Sequence, residues 1–290
     1  MQTNNKGNFH FITTLIVTAI LLVVALIFSI TYGAADIHIS TIMDAIFHYD
    51  ATNQQHNIIS EIRIPRDIGA LLVGVSLATA GAVIQGVTKN SLADPGLIGL
   101  NSGALFMLAL TLGFFPAAPF LVLMFAGFLG AMLGGTIVLM MGRARSDGFN
   151  PMRIILAGAA VSAMLTALSQ GIALAFRINQ DLTFWTAGGV SGTNWNQLFW
   201  STPFILIALI CILVMSKQLT ILNLGESLAK GLGQNVSLIR GVSLVLSMIL
   251  AGIAVAMVGQ VAFVGLIVPH IVRYLVGTDY SRVIPMTALL

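Results

Sequence analysis

The sequence predicts an all-α fold, a polytopic transmembrane helical bundle, and three observations carry that expectation. Of 290 residues, 57% are hydrophobic and only 8% charged, with a mean hydropathy of +0.97. That is too apolar for a soluble domain of this size. Apolar runs recur at about 20 residues, the length that at a rise of about 1.5 Å per residue crosses a hydrocarbon layer roughly 30 Å thick. The runs are continuous rather than alternating, so the backbone is satisfied within helices and not across the strands of a barrel. A net charge of +3 in a soluble chain would raise the question of nucleic acid. In a membrane chain the placement of basic residues matters more than their sum, and no nucleic-acid partner is expected.

The elements follow in order. The first apolar run, 11–32, predicts a spanning helix behind a short polar tail with Lys6, and it is too long for the core of a cleavable signal. Residues 33–62 are polar and acidic. Within them 39–47 carries apolar residues at helical spacing and predicts a short amphipathic helix at the interface. His38, His48 and His56 are too widely spaced for a ligand set, which predicts a solvated loop rather than a metal centre.

Residues 61–103 are the stretch around which the rest is organised. Arg63 and Arg66 bracket Pro65, a small-residue-rich apolar run follows, and a polar break over 89–95 opens into a second apolar run led by glycines. This predicts a helix that enters the bilayer at its arginine end and packs closely through Gly74, Ala78, Gly81 and Ala82. It then turns back at Pro95 and Gly96. Residues 96–142, interrupted by Pro116 and Pro119, predict two spans, with Gly130 and Gly134 as a small-residue face on the second. Arg143, Arg145 and Arg153 flank a polar loop before the crossing at 154–176. Residues 177–196 read as a polar, glycine-rich loop with Trp185 and Trp195 as interfacial anchors. The run 198–216 crosses back and holds the single cysteine, Cys211, read as a small buried hydrophobe.

Residues 217–240 form the second polar stretch of consequence. Asn223 is placed to cap a helix, Glu226 and Lys230 to pair within it, and Gly231 or Gly233 to end it. Leu224, Leu228 and Leu232 form an apolar stripe that a solvated loop would not need. With Gly225, this is a short helix presented to a partner or, alternatively, one lying on lipid headgroups. Residues 241–272, punctuated by Gly252, Gly259, Gly265 and Pro269, predict two short spans with a broken or re-entrant element. A further apolar run begins at Val283 and reaches Leu290. The expectation is therefore about eight complete spans and a partial ninth.

Charge orients the bundle. With a cytoplasmic N-terminus, only Arg63, Arg66 and Arg177 of the 13 Lys+Arg fall outside, and most acids fall with them. The positive-inside tendency supports that topology and leaves Arg63 and Arg66 as residues that need a reason to be there. A faint echo between 66–85 and 240–260, running in opposite directions, suggests two inverted five-helix repeats.

Missing chemistry narrows the function. No ionisable residue lies in the middle of a span, as a proton- or ion-coupled carrier would need. There is no G-x-x-x-x-G-K-[ST] phosphate loop, no G-x-S-x-G and no H-E-x-x-H. No catalytic residue, metal or cofactor is expected, and His270 reads as a structural or hydrogen-bonding residue. The chain reads as a transporter subunit driven from elsewhere, with an ion-coupled secondary carrier as the rival class.

Two strings resemble the FecCD family of ABC-transporter permeases. Arg63-Ile64-Pro65-Arg66 with the break Asn90-Ser91-Leu92-Ala93-Asp94-Pro95-Gly96 is similar to that family's arginine-proline-arginine entry and N-P-L-A-D/E-P-G break, with Ser91 in place of the usual proline. The stretch from Phe263 to Arg273 resembles its F-I-G-L-x-x-P-H-x-x-R signature. The resemblance implies a single permease domain of ten helices in the family pattern, so this sequence would be C-terminally truncated, placed in the bacterial cytoplasmic membrane. It implies import of an iron–siderophore complex, with haem or cobalamin as alternatives. It implies three partners: a cytoplasmic ABC ATPase, an extracytoplasmic binding protein and a second permease subunit. Arg63 and Arg66 would then dock the binding protein, and 217–240 would be the coupling loop, with Leu224, Gly225, Glu226, Leu228 and Lys230 meeting the ATPase.

Overall fold

The computed structural model describes residues 2–32, 37–96, 98–142, 151–187 and 189–290. The elements among them are helical. Six of them are long and apolar enough to cross a membrane, and two shorter ones, Leu100–Phe114 and Val264–Val276, are apolar. In chain order, α1 is Gln2–Thr31, α2 Ile39–Phe47 and α3 Gln54–Ile58; a π-turn at Ile59–Arg63 leads into α4, Ile64–Thr88. Next come α5 (Leu100–Phe114), α6 (Phe120–Gly142), α7 (Pro151–Ala175), α8 (Asn179–Ala187) and α9 (Trp195–Val214). The chain continues through α10 (Ser216–Leu224), α11 (Glu226–Gly231), α12 (Val236–Val258), α13 (Val264–Val276) and α14 (Tyr280–Leu289).

α4 and α12 are the axis of the bundle. The spanning windows of these two are 72% and 67% buried, against 6% for α1, which lies along the outside. α4 packs on α12, α13, α14 and α9, while α12 also packs on α6 and α5. Small side chains make that possible. A Cβ at Gly81 would lie 2.0 Å from the carbonyl oxygen of Gly265, so α4 and α13 touch backbone to backbone. The same holds between α5 and α6: a Cβ at Gly130 would lie 2.2 Å from the Gly103 oxygen, and one at Gly134 2.2 Å from the Gly99 oxygen. In lipid, where apolar burial between helices adds little, this close backbone approach is the main source of association.

These contacts also set depth. Gly134 lies about 12 Å before the end of α6, and Gly81 about 10 Å before the end of α4, at 1.5 Å per residue. Both α5 and α13 therefore begin well inside the bundle rather than at its surface. Thr88 ends α4 with Lys89 in the left-handed conformation, and the chain then rises again through Asn90 and Pro95. Pro95 and Asp94 reach Gly265, since a Cβ on that glycine would be 2.7 Å from Pro95 Cδ and 3.1 Å from Asp94 Oδ2. Two stretches of non-helical backbone, one around 90–99 and one at 259–263, thus meet at membrane depth. Gly99, Gly259 and Phe263 all have positive φ there, the last an unusual state for a residue with a Cβ.

The structure revises several expectations. Residues 177–196 are not simply a loop, since α8 and a 3-10 turn at Gly189–Gly192 occupy most of them. Residues 241–272 hold one full helix and one short one, not two short spans, because Gly252 of α12 serves as a packing surface and only Gly259 breaks the helix. Gly74 does not pack closely; nothing lies within 4 Å of where its Cβ would be, whereas Ala78 and Gly81 are buried. Cys211 is exposed on α9, facing away from the bundle. Arg143 and Arg145 lie outside the described residues. The amphipathic α2 forms over 39–47 as expected and buries Ile42 and Ala45.

The glycine contacts yield a direct test. Gly130→Ala should lower the thermal unfolding midpoint in detergent, by the equivalent of about 1–3 kcal/mol, because the new methyl group meets backbone that cannot move aside. Gly74→Ala should stay within about 0.5 kcal/mol. Equal effects from the two substitutions would contradict the packing described.

Candidate functional site

Three regions carry polar or exposed groups of the kind a transporter subunit uses, and each grows out of a helix end or break. The first is the arginine end of α4. The π-turn widens the helix by one residue just before Pro65 and swings Arg63 inward. Its side chain is only 4% exposed, and Nη1 donates to the carbonyl oxygens of Ile30 and of Thr31, the latter at 3.0 Å. These are last-turn carbonyls of α1, which have no partner within their own helix. Arg63 is therefore a cap that ties α1 to α4. Arg66 is different: its side chain is 31% exposed, 3.4 Å from Asp67 Oδ1 and 3.3 Å from the Ser29 oxygen. Asp67 accepts in turn from Ser29 Oγ at 2.9 Å. Of the paired arginines, only Arg66 stands where a partner could reach it. Nearby, Trp195 Nε1 donates to the Ser60 oxygen at 2.9 Å, which fixes α9 against the π-turn. His56 is 2% exposed and not solvated; its Nδ1 accepts from the Asp50 amide at 3.1 Å, while Nε2 sits 3.5 Å from Asp44 Oδ2.

The second region is α10–α11. Asn223 is not a cap but lies inside α10, and Gly225 precedes α11 with φ 148° and ψ 148°. Glycine reaches that left-handed conformation without steric cost, so the sharp bend between the helices depends on it. Glu226 joins two cations, Lys230 Nζ at 2.9 Å and Arg240 Nη2 at 3.0 Å. The hydrogen bond from Lys230, followed by the charge of Arg240, holds the Glu226 carboxyl below the usual carboxylate range. α11 ends at Gly231, and Leu224, Leu228 and Leu232 all stand exposed. The bend is anchored from behind by Thr220, whose Oγ1 donates to Asp279 Oδ1 at 2.8 Å and accepts from the Tyr280 amide at 2.9 Å. Burial pushes Asp279 up, but bonds from Ser281 and Thr220 outweigh it and leave the carboxyl below its ordinary value.

The third region is the junction of the broken helices. Gln85, in the last two turns of α4, donates to the Gly265 oxygen at 3.1 Å and accepts from Arg273 Nη2, so one amide fixes both ends of α13. Beside it, Asp94, Gly96, Asn101, Ser102, Ser162, Thr166 and residues 260–263 line a cavity of about 250 Å³. Pro95 and Gly96 form the turn itself, and Pro269 lies inside α13 without ending it. Sequence reasoning missed Gln85, Thr220, Asp279 and Asn101. The available signal was a lone amide in an otherwise apolar, small-residue helix. No group of three or more His, Cys, Asp or Glu that could hold a metal occurs among the described residues.

A bundle of helices long and apolar enough to span, with broken helices meeting at depth, defines a multi-pass membrane protein. The chain belongs to the FecCD transport family, whose model matches residues 21–290. It is 41% identical over 279 residues to the iron(3+)-hydroxamate import system permease protein FhuB of Bacillus subtilis (strain 168), covering 96% of this chain and 73% of that protein. It is 37% identical to the iron-uptake system permease protein FeuB of the same organism, with 95% and 83% covered. To the ferric enterobactin permease protein FepD of Escherichia coli (strain K12) it is 36% identical, with 93% and 81% covered. Among solved structures it resembles a metal-chelate type ABC transporter in an inward-facing conformation, with a TM-score of 0.80 and 28% identity over 96% of this chain and 86% of that one.

Two predictions test these regions. Arg63→Met should destabilise the protein by about 3 kcal/mol, since it strands carbonyls at the α1 end, and Arg66→Met by about 1 kcal/mol or less; thermal unfolding in detergent separates them. The Glu226 carboxyl is lowered by its cations, so its contribution is complete above the ordinary carboxylate range and lost as pH falls below that range through the depressed value. Hydrogen-exchange protection at Ala229 and Leu232 should therefore drop on acidification through that window, and Glu226→Gln should remove the dependence.

Proposed function

We propose that this chain is the membrane-spanning permease subunit of a binding-protein-dependent ABC importer that carries iron–siderophore complexes into the bacterial cytoplasm, with ATP hydrolysed by a separate subunit. The observation that carries the reading is membership of the FecCD family through nearly the whole chain, with relatives named for hydroxamate, siderophore and ferric citrate import. The charge distribution supports a cytoplasmic N-terminus, which puts Lys89, Arg240 and α10–α11 on the cytoplasmic side and Arg66 outside. Eight crossings follow if the short α5 and α13 each count as one with the six long helices, and α14 begins a ninth. α4 and α12, packed together on the axis, are the corresponding helices of two inverted repeats.

In this reading 217–240 is the coupling loop. The exposed Leu224 and Leu228 enter a groove on the ATPase, and the Glu226 triad keeps α11 at a fixed angle to α12. Arg66 meets carboxylates of the binding protein through its planar guanidinium, while Arg63 holds the helix entry that presents it. A second permease subunit completes the pathway.

The test is radiolabelled iron uptake in cells whose own ferric-chelate permeases are deleted, with this chain expressed beside its ATPase, second permease and binding protein. Uptake should require ATP hydrolysis and survive collapse of the proton gradient. Leu224→Glu with Leu228→Glu should cut ATPase stimulation by loaded binding protein at least about tenfold, the effect of losing roughly 1.4 kcal/mol of docking energy, with insertion unchanged. Uptake that follows the proton gradient and ignores the ATPase would replace this reading with a secondary carrier.

A further inference from the structure

The first turn of α14 is capped twice, once from its own segment and once from another helix. Asp279 is the local cap, with Oδ1 accepting from the Ser281 amide at 3.0 Å. The Tyr280 amide is the first helical donor and has no acceptor within α14, so it donates to Thr220 Oγ1 on α10 at 2.9 Å. The Thr220 hydroxyl in turn donates to Asp279 Oδ1 at 2.8 Å. The Ser216 oxygen, at 3.1 Å, competes for that proton, and the charged acceptor at shorter range holds it. An aspartate alone completes an ordinary helix cap. The threonine does more: it fastens α10 to α14 by two bonds of opposite sense, which a hydroxyl can make because it both donates and accepts.

That fastening lies between the exposed leucines and the interior. Leu224 ends α10 one turn, about 6 Å, beyond Thr220, and α11 with Leu228 follows directly after Gly225. Leu219 and Leu222 of α10 are fully buried and seat that helix against the bundle. Tyr280 is also buried, and its hydroxyl occupies space that Gly86 of α4 leaves open: a Cβ at Gly86 would lie 2.6 Å from it. Arg273 of α13 hydrogen-bonds the same hydroxyl. This bond spans the joint between α13 and α14, where Gly277 has φ 86° and a Cβ would meet nothing within 4 Å. Arg273 also donates to Gln85, which donates to the Gly265 oxygen at 3.1 Å. From Leu224 to the start of α13, each step is a helical turn, a hydrogen bond or a buried contact.

Resting on the permease reading above, we propose that Thr220 is the positioning residue through which the ATPase-facing bend moves the broken-helix junction. Its hydroxyl makes α10 and the start of α14 move as one piece. Tyr280 carries that movement to Arg273 across the Gly277 joint, which would otherwise absorb it because an unpacked glycine turns at little cost. Gln85 then delivers it to the start of α13. Coupling of this kind passes through contiguous bonded and packed groups, so removing one of them should separate ATP hydrolysis from transport without unfolding the bundle.

The experiment uses the complete transporter in proteoliposomes, with its ATPase, second permease and binding protein, and measures uptake and ATP hydrolysis in the same vesicles. The cargo is whichever of radiolabelled ferric trihydroxamate, ferric enterobactin and ferric dicitrate the wild type carries. Thr220→Val keeps the side-chain shape and removes the hydroxyl. It should lower uptake per ATP hydrolysed at least about threefold, within the range of one hydrogen bond. Thr220→Ser, which keeps the hydroxyl, should stay within about 1.5-fold of wild type, well inside that range. Tyr280→Phe should lower the ratio about as much as Thr220→Val, and the double variant should be no worse than the lower single, because both act on one series. Hydrolysis should stay within about twofold, and the unfolding midpoint in detergent within about 4 °C of wild type. An unchanged ratio in the valine or the phenylalanine variant, an equal loss in the serine variant, or losses that multiply in the double variant would overturn the proposal. So would a parallel fall in uptake and hydrolysis, or a much larger fall in the midpoint, since either makes the bond merely structural. Wild-type protein that carried none of the three chelates would overturn the permease reading and this role with it, whereas a wild type that couples and a valine variant that couples equally well would overturn the role of Thr220 alone.

Discussion

The structure depends on one constraint: in a bilayer every backbone polar group must be satisfied within the protein or by water, so any departure from regular helix has to be enclosed or hydrated. Four departures occur here, and each has its own solution. The left-handed turn at Lys89 closes on its own helix end, the Lys89 amide donating to the Gly86 oxygen at 3.4 Å and the Asn90 amide to the Gln85 oxygen at 3.1 Å. The carbonyls at the end of α1 accept from Arg63. The break at 259–263 is held by Asn101, and the start of α13 by Gln85. One arginine and two amides thus do in lipid what water does at the surface of a soluble protein.

Glycine makes those solutions reachable. Close approach at Gly81–Gly265, Gly103–Gly130 and Gly99–Gly134 brings backbones together, so a single side chain can span from one helix to the next. The same contacts shorten α5 and α13, because a helix packed at mid-depth against a glycine face need not continue through the full layer. Two half-depth helices then leave room for a polar cavity between them. Packing, broken helices and cavity are consequences of one pattern of small residues rather than separate features.

In the permease reading proposed above, function rests on mechanical continuity between the α10–α11 bend and the interior. Thr220 joins the bend to the turn before α14 through Asp279, and Arg273 joins α13 to α4 through Gln85. In that reading a displacement of α11 is passed to helices that carry both the bundle axis and the wall of the cavity. A lone apolar helix lying on lipid would not need such anchoring, which favours a partner that exerts force on it.

Sequence by itself determined the class, α2 within 39–47, the break after Lys89 and the leucine stripe at 224, 228 and 232, which stands exposed. These follow from local composition and periodicity, and the motif strings at 63–66, 90–96 and 263–273 identified the family. The roles of individual polar residues were decided only by tertiary structure. Arg63 and Arg66 differ by three positions and are indistinguishable in composition, yet a π-turn buries one and leaves the other half-buried. Gly74 and Gly81 sit in the same helix, and only the second meets a neighbouring backbone. Gln85 and Asn101 acquire their partners from segments up to 188 residues away, and His56 from the turn before its own helix. Such pairings are set by how helices cross, which no periodicity along one helix can encode, because the same apolar stripe packs equally well at several depths until a glycine contact selects one.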